Sequence, residues 1–380
     1  MDLPVTPEET VALLTECVRT KTVNPPGEEA RLTEVLARYF EAEGVDVEVL
    51  TLSPGRANLL AHLRGAGERP ALIFSAHTDT VGPGEMPWER DPWSGRVEGG
   101  RLYGRGASDM KSGLAAMALA LVGLKRAGAR LRGDLVLAAS AGEEVDMCGA
   151  RAFVASGALA GAGAVVVGEP TGGRVAVAHK GAMWLAITTA GRTAHGAMPH
   201  HGVNAILRMQ EVLDRVRAMR LPPAAHALLG GATLSVNTIR GGDAVNVVPD
   251  RCRVDVDVRT VPGVDHDGVV DAIRSACGGL GFDVALDVRM SVPAVETDAS
   301  LPAVQTAVDV AGRLAGRPEK VGAVPYFTEA SVYQPELRLP AIICGPGEAH
   351  LAHQPNEWVS VRACTAAVRF YAEYAQAYLA

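Results

Sequence analysis

The stretch 71-ALIFSAHTDT-80 decides the fold. Its first six residues are apolar except for Ser75, and the run then breaks into His77-Thr78-Asp79. A half-exposed strand would alternate apolar with polar, so an evenly apolar run this short suits a strand covered on both faces. Three further segments read the same way: 134-DLVLAAS-140, 162-AGAVVVGE-169 and 340-PAIICGPG-347. Between and before them lie helical patterns such as 9-ETVALLTECVRT-20 and 30-ARLTEVLARYFEAEG-44, the second closed by Gly44. Buried strands interleaved with helices predict an α/β fold, a mixed and mostly parallel sheet covered by helices.

The middle of the chain reads differently. Segments 182-AMWLAITTAGRTAH-195 and 252-CRVDVDVRTVPG-263 alternate apolar with polar, as half-exposed antiparallel strands do. The pattern predicts one domain made of 1–179 and 293–380, interrupted by a smaller inserted α+β domain at 180–292. A chain of 380 residues with 48% hydrophobic content supports two such cores. A net charge of −7 argues against a nucleic-acid partner. Six scattered cysteines without a C-x-x-C pair suit reduced thiols in the cytoplasm. The start MDLPVTPEETVALL lacks the basic region of a signal peptide. The apolar run 113–124 falls short of the ~20 residues of a membrane span, so no membrane partner is expected.

Each buried run ends in groups that can bind a metal. The first meets His77 and Asp79, the second Glu143 and Glu144, the third Glu169, and the fourth leads by a loop to His353. Ligands of open α/β sheets gather at the carboxyl ends of the strands, so these residues can converge. A fifth carboxylate, Asp109, lies in 104-GRGASDMKSG-113. That segment is no P-loop, because the glycine positions required before Lys-Ser hold Met110 and Arg105. Nor is it a dinucleotide loop, since the charge of Asp109 would meet the pyrophosphate. Taken singly, each residue has an ordinary reading: Asp109 as a helix N-cap, the Glu pair as surface charge, Glu169 as a turn acid, and His353 as no better than His350. Taken together, so many carboxylates near one point require cations, and mixed imidazole and carboxylate donors suit zinc, cobalt or manganese.

The segments SAHTDTVG, LYGRGASDMKSG, AGEEVDMCGA, VVGEPT, GRTAHGAMPHHGVNAI, NVVPDRCRVDVDVR and GPGEAHLAHQPNEWV cover nearly the whole chain. In this order they resemble the metallopeptidase family of acetylornithine deacetylase, succinyl-diaminopimelate desuccinylase, aminoacylase and glutamate carboxypeptidase. The resemblance implies a zinc-exopeptidase-like catalytic domain with an inserted lid and dimerisation domain. It implies two divalent metal ions, Zn2+ first and Co2+ or Mn2+ as alternatives. His77, Asp109 and Glu169 would hold one ion and Asp109, Glu144 and His353 the other. Asp79 would orient His77, Glu143 would be the general base, and His195 would stabilise the oxyanion from a neighbouring subunit of a homodimer.

For substrate the resemblance implies Arg259 as a carboxylate-binding group, with an ordinary salt bridge as its other reading. Asn246, Lys180 and Thr328 are further candidates, with Glu329 beside Thr328. The stretch 325-PYFTEASVY-333 looks more like the acetylornithine deacetylases than the desuccinylases, whose loop reads Gly-Thr-Ser-Asp. The expected activity is hydrolysis of the amide bond of a small N-acyl amino acid. A dipeptidase or carboxypeptidase of the same fold is the alternative, and a non-catalytic metal- or peptide-binding protein the third reading.

Overall fold

The computed structural model describes residues 3–221 and 225–380. Contacts divide the chain into two units: Met1–Ala178 with Glu296–Ala323 and Thr328–Ala380, and His179–Val295 with Val324–Phe327. The short segment Val324–Phe327 joins the second unit, where the Val324 carbonyl accepts from the Lys180 N–H at 3.3 Å. The strands used below are β1 (Asp46–Ser53), β2 (Arg56–Leu63), β3 (Ala71–His77), β4 (Leu135–Ser140), β5 (Ala162–Val167), β6 (Gly181–Ala190), β7 (Thr233–Gly241), β8 (Arg251–Thr260), β9 (Val284–Val292) and β10 (Ala341–Ile343). The helices are α1 (Pro7–Arg19), α2 (Ala30–Ala42), α3 (Lys111–Arg126), α4 (Cys148–Ala155), α5 (Ala205–Ala218), α6 (His266–Ala276), α7 (Pro302–Ala315), α8 (Ala330–Leu337) and α9 (Val361–Tyr378).

In the first unit the sheet runs β1-β2-β4-β3-β5-β10 and then continues into short strands. The neighbours β4, β3, β5 and β10 pair in parallel, while β1 and β2 pair antiparallel at the edge. Alternation along β3 sorts its side chains onto two faces. Leu72, Phe74 and Ala76 join the apolar cluster built with α1, α2, α3, α7 and α9. Ser75 lies on the opposite face and bonds to Glu329 and Tyr333 at the start of α8. Both faces are therefore covered, which is why β3 carries apolar residues at odd and even positions alike.

Helix α3 is buried on every side from Lys111 to Leu124, so its sequence shows no polar stripe. Full burial of each of its leucines contributes roughly 1.5–3 kcal/mol. Its first turn presses against the end of β5: a Cβ on Gly113 would stand 2.1 Å from the Gly168 carbonyl oxygen. Glycine there brings the residues after Asp109 next to the residue before Glu169.

The second unit holds the antiparallel sheet β7-β8-β6-β9. Met183, Leu185 and Ile187 of β6 and Cys252, Val254, Val256 and Val258 of β8 share one apolar cluster with α5 and α6. β8 alternates cleanly between buried and part-exposed positions. β6 does not, because its small Ala182 and Ala186 are buried on the other face too.

Candidate metal centre

The carboxyl ends of β3, β4, β5 and β10 point to the same side of the sheet, as parallel strands must, and the ligand-type residues follow directly from them. His77 closes β3, Glu143 and Glu144 come three and four residues after β4, Glu169 two after β5, and His353 at the end of the loop from β10. The structure gathers them into two groups among the described residues. In one, His77 Nε2 lies 3.2 Å from Asp109 Oδ1 and 3.7 Å from Glu169 Oε1. In the other, His353 Nε2 lies 3.5 Å from Asp109 Oδ2 and 3.0 Å from Glu144 Oε2. Within each group the ligand-type atoms lie within 4.8 Å of one another. Asp109 is the member common to both, and it offers one oxygen to each.

The backbone reaches this arrangement through a turn. Gly106 adopts φ +82°, and a Cβ on it would meet Thr80 Cγ2 at 2.7 Å. The N-cap of α3 is Met110, with no side-chain capping bond, so Asp109 is not spent as a helix cap. Its carboxylate is left to face the two imidazoles.

Asp79 is wholly buried beneath the cluster. Its Oδ2 accepts from Asn24 Nδ2 at 2.9 Å and from the Glu144 N–H at 3.2 Å, and its Oδ1 from the Glu143 N–H at 3.1 Å. His77 Nδ1 lies 3.0 Å from the Asp79 backbone carbonyl, an acceptor only, so Nδ1 carries hydrogen and Nε2 is the ring atom turned to Asp109. Burial opposes charge on His77, but Asp109, Asp79 and the acids around them outweigh it and hold its pKa well above the ordinary value. Burial, and then repulsion from neighbouring carboxylates, pushes Glu143 and Glu169 well above the usual carboxylate range. Asp109 is kept below that range despite burial by its bonds to His77. Without cations, the cluster resists holding all its carboxylates as anions. Glu143 is buried, and its Oε1 has no hydrogen-bond partner.

Glu357 and Arg105 were not singled out from sequence. They form a buried pair at 2.5 Å behind Asp109. The only hint was an acid four residues beyond His353, in a segment that reads as a polar turn. Thr328 and Glu329 are wholly buried. The Thr328 hydroxyl accepts from the Ala330 N–H, and Glu329 Oε2 accepts from Ser75 Oγ at 2.8 Å, so Glu329 braces β3 from beneath.

In the second unit, His195 is exposed, and its Nδ1 accepts from the Ala197 N–H at 3.0 Å, which leaves Nε2 as the donor. Asn246 is exposed beside it, its carbonyl bonded to the Gly196 N–H at 2.7 Å. Arg259 makes a two-pronged pair with Asp257, at 2.8 and 3.1 Å. Lys180 Nζ donates to the Gly231 carbonyl at 3.1 Å. Arg259 pairs with Ala182 and Arg251 with Ala190, so Arg259 and His195 belong to opposite ends of the β6–β8 ladder. The eight residue steps from Arg251 to Arg259 span roughly 26 Å.

The profile of Peptidase family M20/M25/M40 matches residues 73–377. A protein of Staphylococcus epidermidis named probable succinyl-diaminopimelate desuccinylase is 29% identical, covering 98% of each chain. An acetylornithine deacetylase of Aliivibrio fischeri is 31% identical over 87% of each chain. Among solved structures, an M20 family metallo-carboxypeptidase from Sulfolobus solfataricus superposes with TM-score 0.82 at 18% identity, covering 97% of this chain and 99% of that one. A dinuclear metal binding peptidase of the M20 family from Bacillus subtilis gives TM-score 0.76 at 18% identity over 98% of each chain.

Proposed function

The chain belongs to peptidase family M20/M25/M40, and on that premise we propose that it is a metal-dependent hydrolase that cleaves the amide bond of a small N-acyl amino acid. The observation that carries this reading is Asp109, whose two oxygens each face a different histidine, with the buried Glu143, whose Oε1 has no hydrogen-bond partner, in the same cluster. The donor set fits two divalent cations: His77, Asp109 and Glu169 for one, Asp109, Glu144 and His353 for the other. Mixed imidazole and carboxylate donors favour Zn2+, with Co2+ or Mn2+ as substitutes. Cations held there supply Lewis acidity, lowering the pKa of water and polarising the amide carbonyl.

The protein's own groups do the rest. Glu143 accepts a proton from the attacking water and passes it to the nitrogen as the C–N bond breaks, so that a carboxylate and an amine leave. Asp79 holds His77 in one tautomer and keeps Glu143 and Glu144 in place through their N–H groups. His195 Nε2–H donates to the oxyanion. Arg259 is assigned to the substrate carboxylate, exchanging Asp257 for it, with Asn246, Lys180 and Thr328 as further contacts or supports.

His195 and Arg259 cannot both reach one small substrate from the same chain, given the strand length between them. This supports a homodimer in which His195 serves the neighbour's site. The surface offered to the neighbour is the exposed edge strand β7, with Val236 and Ile239, beside Ile206 and Leu207 of α5. Among the described residues no helix is long and apolar enough to cross a membrane, and the six cysteines are free thiols, which fits a reducing cytoplasm.

Relatives named desuccinylase and deacetylase favour the N-acyl amino acid reading. The metallo-carboxypeptidase neighbour favours a peptidase instead. A panel of acetylornithine, succinyl-diaminopimelate, other N-acyl amino acids and dipeptides, assayed with added zinc or cobalt and again after chelation, separates them. Metal-dependent release from an N-acyl amino acid supports the reading, and turnover of dipeptides alone replaces it with the second.

A further inference from the structure

Glu357 joins neither group of metal-type ligands, yet it makes more hydrogen bonds than any residue that does. It is wholly buried. Its Oε1 accepts the Ser108 N–H at 2.7 Å and the Asp109 N–H at 3.0 Å. Its Oε2 accepts the Gly106 N–H at 3.1 Å and Arg105 Nη1 at 2.5 Å. The Glu357 carbonyl takes the Gly104 N–H at 2.9 Å. Four of the six backbone N–H groups from Gly104 to Asp109 therefore converge on one residue, in the manner of a backbone nest around an anion.

That residue sits on the loop of His353, which itself adopts φ +62°. The two loops meet a second time through Ser108, whose hydroxyl donates to the Glu348 carbonyl at 3.0 Å and accepts from the Glu348 N–H at 2.7 Å. Arg105 ties in a third loop by donating from Nε to the Gly82 carbonyl at 3.2 Å.

We propose that Glu357 is a positioning residue that locks the turn of Asp109 to the loop of His353, and that it governs the group Asp109, Glu144 and His353 more than the group His77, Asp109 and Glu169. This rests on the metal-centre reading above. The asymmetry follows from what holds each ligand. His77 is the last residue of β3 and Glu169 stands two residues after β5, so the sheet places both without help from Glu357. Asp109 and His353 are loop residues with no strand beneath them. Loss of Glu357 frees one ligand of the first group but two of the second. Removal of the whole side chain also leaves three buried N–H groups without an acceptor. In Glu357→Gln the amide oxygen can still serve Ser108 and Asp109, while its NH2 faces the Gly106 N–H and Arg105, donor against donor.

The test is calorimetric titration of the demetallated full-length protein with cobalt(II) chloride, with circular dichroism and melting curves for each variant. Wild type is expected to take up two equivalents. Glu357→Gln should bind the first within about threefold of wild type and the second ~10–100-fold more weakly, with kcat reduced and KM little changed. Glu357→Asp, which restores the charge on a shorter arm, should recover part of the second affinity. If Glu357→Gln fails to fold, Glu357→Asp and Arg105→Gln decide, because each weakens the lock without removing it and each should lower the second affinity more than the first. Equal weakening of both sites, or unchanged affinity in a folded Glu357→Gln, would overturn the proposal. A wild type that binds no cobalt would overturn the centre itself and the lock with it.

Discussion

Asp79 Oδ1 stands 3.5 Å from His77 Nδ1, both side chains fully buried, and the same carboxylate accepts the N–H groups of Glu143 and Glu144. One residue thus fixes the ring of a ligand in one group and the backbone that carries a ligand of the other. In Asp79→Asn the amide nitrogen must face either the imidazole or a backbone donor, so one contact turns repulsive. Metal affinity and kcat are each expected to fall ~10–100-fold. Titration of the variant with zinc beside steady-state kinetics checks this, and an Asn variant with wild-type values would remove Asp79 from the account.

Glu143 and Glu144 are neighbours with different tasks. Glu144 is bonded to His353 at 3.0 Å, whereas Glu143 belongs to neither group of ligands. Glu143→Ala should bind metal as wild type does and lose about 100- to 10,000-fold in kcat. Glu144→Ala should lose metal. Measuring metal content and turnover on the same preparations distinguishes them, and Glu143→Ala with reduced metal content would reassign Glu143 as a ligand.

The strand length between His195 and Arg259 gives a subunit-mixing experiment. Glu143→Ala and His195→Ala homodimers should each be nearly inactive. In a mixed dimer, the chain with intact Glu143 receives an intact His195 from its partner, so one site is whole. Mixing after reversible dissociation should restore about a quarter of wild-type activity, since half the dimers are mixed and each has one working site. No recovery on confirmed mixing would place His195 in its own chain's site.

His179 is buried, and its Nδ1 donates to the Lys180 carbonyl at 2.9 Å. Burial lowers its pKa from 6.5 to about 4. The unfolded chain therefore binds more protons between those values, and stability rises with pH through that window. The contribution is fully present above 6.5 and is lost as pH falls through 4, about 3 kcal/mol in all. Melting curves of the chelated protein across this range should be steeper in pH for wild type than for His179→Asn. Parallel curves would contradict the burial of a neutral imidazole there.

The sheet was legible because β3, β4, β5 and β10 are apolar on both faces, and only a doubly covered sheet asks for that. The convergence of His77, Glu144, Glu169 and His353 followed from their places at or after the ends of parallel strands. Asp109 stayed ambiguous in sequence, since an acid before a helix is usually a cap. It took the position of Met110 as the N-cap, and the turn at Gly106, to show that its carboxylate faces the imidazoles. Glu357 was invisible, because its partners are mostly backbone N–H groups and these leave no mark in the amino-acid letters. Glu329, next to Thr328 in sequence, accepts from Ser75 of β3, another contact that leaves no mark in the sequence.

The sharing of Asp109 between two cation sites is tested most directly by zinc titration of demetallated wild type and Asp109→Ala, with amide hydrolysis followed on the same samples. Wild type should bind two equivalents and gain activity as they bind, and the Ala variant should lose tight binding at both sites together with turnover. Full activity in metal-free wild type, or two tightly bound equivalents in Asp109→Ala, would contradict it.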